Sequence, residues 1–433
     1  MIHESPYVDT APPAPASTPL EGRIAVDVAL VGAGFSGTIA ALMLARRGVS
    51  VALIEAQEVG HGGSGRNHGQ CIPVFGYLDE AILPPEGFAL LRDAGRLVFD
   101  TIVELGIACE PVKKGWLNAA HDAAGLERAR AAHAKYARLG KAGDFLGPDA
   151  VTALSGIPGY LGGWVHRDGG HVNPLAYVRG LAGAAQAAGA ALHVRSPLTG
   201  LERGPDGWLL RTPGGEIAAP KVGLTVNAYA DAAIPARLRQ SLVHMQSYAV
   251  ASQPLTEAQR AAVLPGGVTF SDTRRDPMFF RVDGSGRIIT GGLVELRRGR
   301  ITAPTVAQAG RRLARLYPAL QGLGFTHHWS GTVGVSAKQR PAIFELGPDL
   351  WALAGYSGRG VPTTAALGRA LAATLVDREE GARLWPHDAP ARIPGAALIG
   401  FGVQSLRGPW NKLRDCIGRG APTGSSAKNR PTP

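Results

Sequence analysis

Apolar runs and glycines make one pattern twice in this chain. Residues 26–31 form an apolar run that meets Gly32, Gly34 and Gly37; apolar positions follow at helical spacing, and a second apolar run at 49–54 ends at Glu55. The pattern predicts strand, tight turn, helix and strand. Near the other end, residues 350–354 are apolar, Gly355, Gly358 and Gly360 follow, and residues 363–375 return to helical periodicity. Between these units, residues 86–105 and 125–140 read as helices, with Glu86, Arg92, Asp93 and Arg96 on polar positions, and residues 115–119 read as a strand. Gly204 to Gly207 reads as a hairpin turn. Residues 240–335 alternate apolar and polar in short runs, such as 247–252 and 279–282, and predict an antiparallel sheet. No internal repeat of fixed period is present.

Each glycine of the first turn has a physical task. Gly32 permits the turn, Gly34 lets the backbone approach a pyrophosphate, and Gly37 lets helix and strand pack closely. A helix N-terminus offers free N–H groups and partial positive charge to phosphate. Glu55 follows Gly37 by 18 positions, near where a carboxylate holds a ribose hydroxyl. These features predict dinucleotide binding in a Rossmann-like α/β domain. A second glycine-rich loop, VGHGGSGRNHGQ at 59–70, follows at once. A nicotinamide dehydrogenase needs no such loop. FAD, buried lengthwise, needs a second segment over its ribityl and isoalloxazine parts.

The succession GAGFSG, Glu55 and SGRNHGQ resembles the D-amino-acid oxidase (DAO) superfamily of FAD enzymes, most of all its bacterial gamma-glutamylputrescine oxidoreductase-like branch. Segments at 168–190, 225–231, 278–292 and 353–372 resemble later motifs of that family in its order, so the likeness spans about residues 24–387. It implies a discontinuous architecture. The FAD domain would comprise residues 24–105, 168–235 and 336–387, and an α+β substrate domain with an antiparallel sheet would comprise 106–167 and 236–335. Cofactor contacts are implied at Gly32, Gly34, Phe35, Ser36, Gly37 and Glu55, then at Ser64, Gly65, Arg66, Asn67, His68, Gly69 and Gln70. Leu198 and Asn227 join them, as do Gly355, Ser357, Gly358, Arg359, Gly360, Val361 and Pro362. Relatives that attach FAD through histidine match Asn67 here, and those that use cysteine match the cysteine-free segment 336–340, so noncovalent FAD is expected.

The resemblance also implies the chemistry. The C–N bond of an amine or amino acid is oxidised by hydride transfer to flavin, and water hydrolyses the imine. Such a site needs a cavity that disfavours ammonium, with no metal and no strong nucleophile; HExxH, GxSxG and CxxC are all absent. Candidate cavity residues are His68, Gln70 and Tyr77, then Tyr248, Arg281, and Arg297 or Arg298. Arg281 would grip a substrate carboxylate, and Lys338 would stabilise anionic reduced flavin. Some relatives use a lysine to activate oxygen on the strand that here reads GGLVELRRG. The arginines in its place leave open oxygen or another acceptor.

Composition adjusts this picture at its edges. With 433 residues and 45% apolar content the chain is long enough for two packed domains. The net charge of +11 comes without a basic block of five or more residues and without a nucleic-acid motif, so no nucleic-acid partner is expected. Cys71, Cys109 and Cys416 are distant and odd in number, which fits a reducing cytoplasm. Residues 28–45 carry no charge, but the glycines inside them favour strand plus helix over a membrane span. The first 23 residues have no signal-peptide pattern and, being rich in Pro and Ala, are expected to be disordered. Residues 388–433 form a partly disordered extension, and its basic stretch at 397–419 allows at most peripheral membrane contact. Two other readings compete: a D-amino-acid or glycine-type dehydrogenase donating to a quinone, and a flavoprotein of nucleic-acid modification. Oligomeric state is left unassigned.

Overall fold

The first apolar run becomes the strand Val28–Val31, buried along its whole length. A computed structural model describes residues 5–293 and 301–407. Val28–Val31 lies between Val51–Ile54 and Lys221–Leu224, all three parallel, within a seven-stranded sheet. Leu350–Ala354, Ala342–Gly347 and His387–Asp388 extend one side, and Ala191–His193 closes the other. A parallel sheet covered on both faces needs continuous apolar strands, which explains the absence of alternation. Val28, Leu30, Val51 and Leu53 join the helical side of the core. There the helix Phe35–Ala45 packs against Pro174–Ala187 and Gly360–Val376. Ala29, Val31, Ala52 and Ile54 face the other way, onto Leu210 and Ile217 of a four-stranded sheet. That sheet contains the hairpin expected at Gly204 to Gly207, whose residues pair directly.

A second, eight-stranded sheet collects strands from two separated stretches, Trp116–Ala120, Ala142–Leu146 and Gly162–His166 with the five strands between Leu242 and Ser336. Thr269–Asp272 and Trp116–Ala120 run parallel where the two stretches meet, and the other pairings are antiparallel. The helix expected over 86–105 is two helices, Pro85–Arg92 and Ala94–Leu105. Asp93 stands at the break, and its carboxylate takes up Lys141 at 2.7 Å together with Arg92 and Arg96.

Residues 5–23 correct the expectation of a disordered tail. Tyr7–Thr10 is a helical turn with Tyr7 buried. The chain then runs along Pro174–Ala187: Asn173, Arg179 and Gln186 donate to the carbonyls of Tyr7, Pro12 and Ala16. It ends in the strand Gly22–Ala25. Proline breaks regular helices and strands, and a Pro/Ala-rich composition carries no signal of polar partners elsewhere in the chain. Among the described residues no helix is long and apolar enough to cross a membrane. Ala396–Gly402 is a helix at the start of the basic C-terminal stretch. The rest of that stretch from residue 408, Cys416, and the Arg297 and Arg298 candidates lie outside the described residues.

Candidate active site

Both glycine turns and one face of the eight-stranded sheet open onto a single cavity of about 1170 Å³. The first turn is built by exclusion of side chains. Gly32 has φ +102, outside the range of ordinary residues. A Cβ at Gly37 would lie 2.0 Å from the Gly32 carbonyl oxygen and 2.6 Å from Thr225 Oγ1. The Thr225 hydroxyl in turn shares its proton between the Val31 and Gly32 carbonyls at 2.9 and 2.8 Å. Glu55 accepts from the Ala33 amide at 2.8 Å and the Gln57 amide at 3.0 Å. It lines the cavity, and burial raises its carboxyl above the ordinary value. Gly34 has a role the sequence did not reveal. A Cβ there would lie 2.8 Å from Ser64 Oγ, which accepts from the Phe35 amide at 2.9 Å. The two glycine-rich loops are thus held together at this point.

Three distant side chains clamp three successive carbonyls of the second loop. Trp329 Nε1 donates to Arg66 O at 2.7 Å, Tyr7 Oη to Asn67 O at 2.8 Å, and Arg281 Nε to His68 O at 2.6 Å. Tyr7 meets the Trp329 ring edge-on at 5.3 Å and carries the Arg281 guanidinium over its own ring at 5.8 Å. The N-terminal segment therefore belongs to the wall behind the cavity.

Of the expected cofactor residues, Gly32, Gly34, Phe35, Ser36 and Glu55 line the cavity, as do Ser64, Arg66, Asn67, His68 and Gln70. Leu198, Asn227, Ser357, Gly358, Arg359, Gly360 and Val361 line it as well. Gly37, Gly65, Gly69, Gly355 and Pro362 stand behind it as shaping positions. Gly69, for example, lies against Val172 O and the Arg281 guanidinium, where a Cβ has no room. The Gly355 amide donates to Asn227 Oδ1 at 2.9 Å and links the closing turn to the 225–231 segment.

The three candidate catalytic residues are not in the cavity wall. In the strand Leu242–Ser252, Met245 and Ser247 face the cavity. Strand alternation turns Tyr248 to the opposite side, against Val250 and Ala309. Lys338 is an exposed partner of Asp388 at 2.6 Å. Arg281 is 1% exposed and committed to the clamp. Arg281→Met is accordingly expected to lower stability by about 1–3 kcal/mol, because it strips His68 O of its donor. KM for carboxylated substrates should not change. A selective KM rise with an unchanged melting point would restore the substrate role. Tyr77 also sits behind the wall, 3.4 Å from Thr363 Oγ1.

His68 is held neutral. Burial lowers its pKa from 6.5 to about 4, and its Nε2–H faces Tyr248 O at 3.2 Å. His166 is lowered to about 4 by burial as well. The unfolded chain binds more protons at these sites between pH 6.5 and 4, so stability is expected to fall as pH drops through that window. The loss should approach about 3 kcal/mol per histidine. Thermal unfolding midpoints that stay constant from pH 7 to 4 would refute it.

Sequence reasoning missed the sheet-side wall. Trp116, Asn118, Ser271 and Phe279 line it, and Phe279 meets His68 edge-on at 4.8 Å. The alternation in 279–282 pointed to Phe279, but only pairing between strands distant in sequence brings Asn118 beside Ser271. Arg359, in the closing turn, also lines the cavity. Burial lowers its pKa, and Nη1 is buried with no hydrogen-bond partner among the described residues.

The family described as DAO, FAD dependent oxidoreductase, matches residues 27–374. The chain is 29% identical to the probable oxidoreductase OrdL of Rhizobium meliloti (strain 1021), across 94% of this chain and 96% of that protein. It is 25% identical to the gamma-glutamylputrescine oxidoreductase of Escherichia coli (strain K12), across 92% and 95%. Its fold is similar to that of glycine oxidase from Geobacillus kaustophilus, with a TM-score of 0.69, 22% identity, and coverage of 82% of this chain and 95% of that one. A family match running from the first strand to the closing helix, over a cavity walled by both glycine turns, places this chain in the DAO family of FAD-dependent oxidoreductases.

Proposed function

We propose that this enzyme oxidises the carbon next to nitrogen in an amine or amino acid, with the imine product hydrolysed by water. The observation that carries the proposal is the continuity of one cavity from the first glycine turn, past the second loop, to the sheet wall. The residues suit FAD. The N-terminus of Phe35–Ala45 opens at the cavity for a pyrophosphate. Arg359 Nη1, buried and without an acceptor among the described residues, offers a donor to a polar ring edge at the closing turn. FAD, when bound, supplies the hydride acceptor.

The chain's own residues do the rest. Trp116, Ile72, Val74 and Phe279 make an apolar wall that limits water. Those apolar side chains, with the Arg359 cation lining the same cavity, disfavour ammonium and so favour the neutral amine, the form that can release hydride. His68 adds no competing charge above pH 4 or so. The clamp holds the second loop in one place. Noncovalent FAD is part of the reading: His68 Nε2 is directed at Tyr248 O. The test is anaerobic mixing of the yellow protein with a panel of amines, diamines and amino acids. At least one should bleach the flavin absorbance, and failure of all of them would overturn the proposal. Peroxide formed on admitting air identifies an oxidase. Its absence, with turnover on a quinone, identifies a dehydrogenase.

A further inference from the structure

The helix Ala396–Gly402 carries a cluster of exposed apolar side chains that the active site does not use. Leu398 is 77% exposed, Phe401 50% and Ile399 46%; they are three of the seven large apolar side chains exposed among the described residues. The opposite side of the same helix is fixed. Gly400 lies against His244 O, where a Cβ would stand only 2.9 Å away. One turn on, the buried Gln404 side chain donates to Gln246 O at 3.0 Å and accepts from the Gln246 amide at 3.3 Å. Gly400 and Gln404 thus anchor the helix to the strand Leu242–Ser252 and leave Leu398, Ile399 and Phe401 on the solvent side.

Positive charge gathers around this cluster. Residues 389–433 hold seven Lys or Arg and a single acid, Asp415, and so contribute +6 of the chain's net +11. Arg392 is exposed just before the helix. The Ile393 amide donates to Gln240 O at 2.9 Å, which brings this segment beside the helix Ala236–Gln240, where Arg237 is exposed. Asp388, the acid that precedes the segment, is engaged by Lys338 and Arg340 at 2.6 and 3.0 Å. After the helix, Arg407, Lys412, Arg414 and Arg419 interleave in sequence with Trp410, Leu413 and Ile417. The cluster also adjoins the active cavity. Val403, directly after the helix, lines that cavity, and so does Leu293, exposed on the strand that pairs with Leu242–Ser252.

We propose that Ala396–Gly402 and the basic residues around it dock the enzyme on an anionic lipid surface, with Leu398, Ile399 and Phe401 entering the headgroup boundary. The occupant follows from the two observations together. Exposed apolar side chains alone would also suit a second copy of this chain, but that contact would set +6 against +6. A bilayer with anionic headgroups presents negative charge above an apolar layer, which matches exposed Leu, Ile and Phe flanked by Lys and Arg. No helix among the described residues can cross a bilayer, so the contact is peripheral. Docking in this way brings the Leu293 and Val403 side of the cavity to the membrane. The proposal is independent of which amine the site oxidises.

The experiment is flotation of the full-length holoenzyme with vesicles of phosphatidylcholine alone and of phosphatidylcholine mixed with phosphatidylglycerol. Wild type is compared with the double variant Leu398→Ser, Phe401→Ser, and flavin content and melting temperature check that the variant is folded. Wild type should bind the mixed vesicles at least about tenfold more tightly than the neutral ones at low salt, and lose most of that preference near 0.5 M salt, estimated as about one Debye length of 4 Å. The variant should bind the mixed vesicles about tenfold more weakly than wild type, with flavin content and melting temperature unchanged. Failure of wild type to float with mixed vesicles would overturn the proposal, as would equal binding to both vesicle types. Unaltered binding by the folded variant would show that the helix does not enter the lipid and would overturn it too. So would a wild-type dimer in gel filtration that the variant converts to monomer, since the face would then join two copies. These outcomes are read without any amine, so they stand apart from failure of the amine-oxidising reading, which the flavin-bleaching panel detects.

Discussion

Gly37→Ala is expected to purify without its flavin and to melt well below the wild type. The added methyl would stand 2.0 Å from the Gly32 carbonyl oxygen and 2.6 Å from Thr225 Oγ1. Neither neighbour is the loose end of a flexible side chain. Gly32 is held in a left-handed turn at φ +102, and Thr225 is fastened to the same turn through its hydroxyl. The helix must therefore move away from the strand. Overpacking of this kind costs about 1–3 kcal/mol where neighbours can adjust, and backbone contact puts this case at the upper end or beyond. The same movement would displace the helix N-terminus that lines the cavity. The ratio of flavin to protein absorbance after gel filtration, together with a melting curve, checks this. A variant that remains fully yellow and melts like the wild type would show that this turn does not hold the cofactor.

Arg359→Met is expected to keep the fold and to make the bound flavin harder to reduce. Methionine keeps much of the apolar stem while removing the guanidinium. Arg359 lies in the closing turn, with Nη1 buried and lacking an acceptor among the described residues, and burial works against its charge. A cation kept at such a desolvation cost strongly favours negative charge nearby, as on a reduced flavin. Its loss should lower the two-electron potential by about 30 mV or more, equivalent to about 1.4 kcal/mol, and slow reduction by substrate accordingly. Redox titration against a dye of known potential measures the shift. An unchanged potential would move the electrostatic task to another group. Lys338, the cation named from sequence, cannot perform it from its exposed pair with Asp388.

These two predictions divide along what the chain shows locally and what it does not. Gly37 was legible because strand, glycine, helix and acid lie within 30 or so consecutive residues, and short-range sterics dictate their arrangement. The antiparallel strands of 242–336 were legible too, since alternation records which side of each strand is buried. The side itself was not legible. Met245 and Ser247 meet the cavity, while Tyr248, one residue on, is directed at Ala309. A single-residue offset in register would exchange them. The N-terminal segment was misread for a related reason. Its composition suits a flexible tail, yet Tyr7 finds Asn67 O and the Arg281 guanidinium, partners far away in the chain.

Sequence alone determined the two glycine turns and the strand–turn–helix–strand unit of the Rossmann-like domain, because each depends on backbone freedom and apolar periodicity within one short segment. Tertiary structure decided which charges face the cavity. It buried Arg281 in a clamp, sent Lys338 to the surface, and left Arg359, Arg128 and Arg275 at the wall. Those outcomes depend on which distant strands pair and in what register, and that is a property of the assembled sheet.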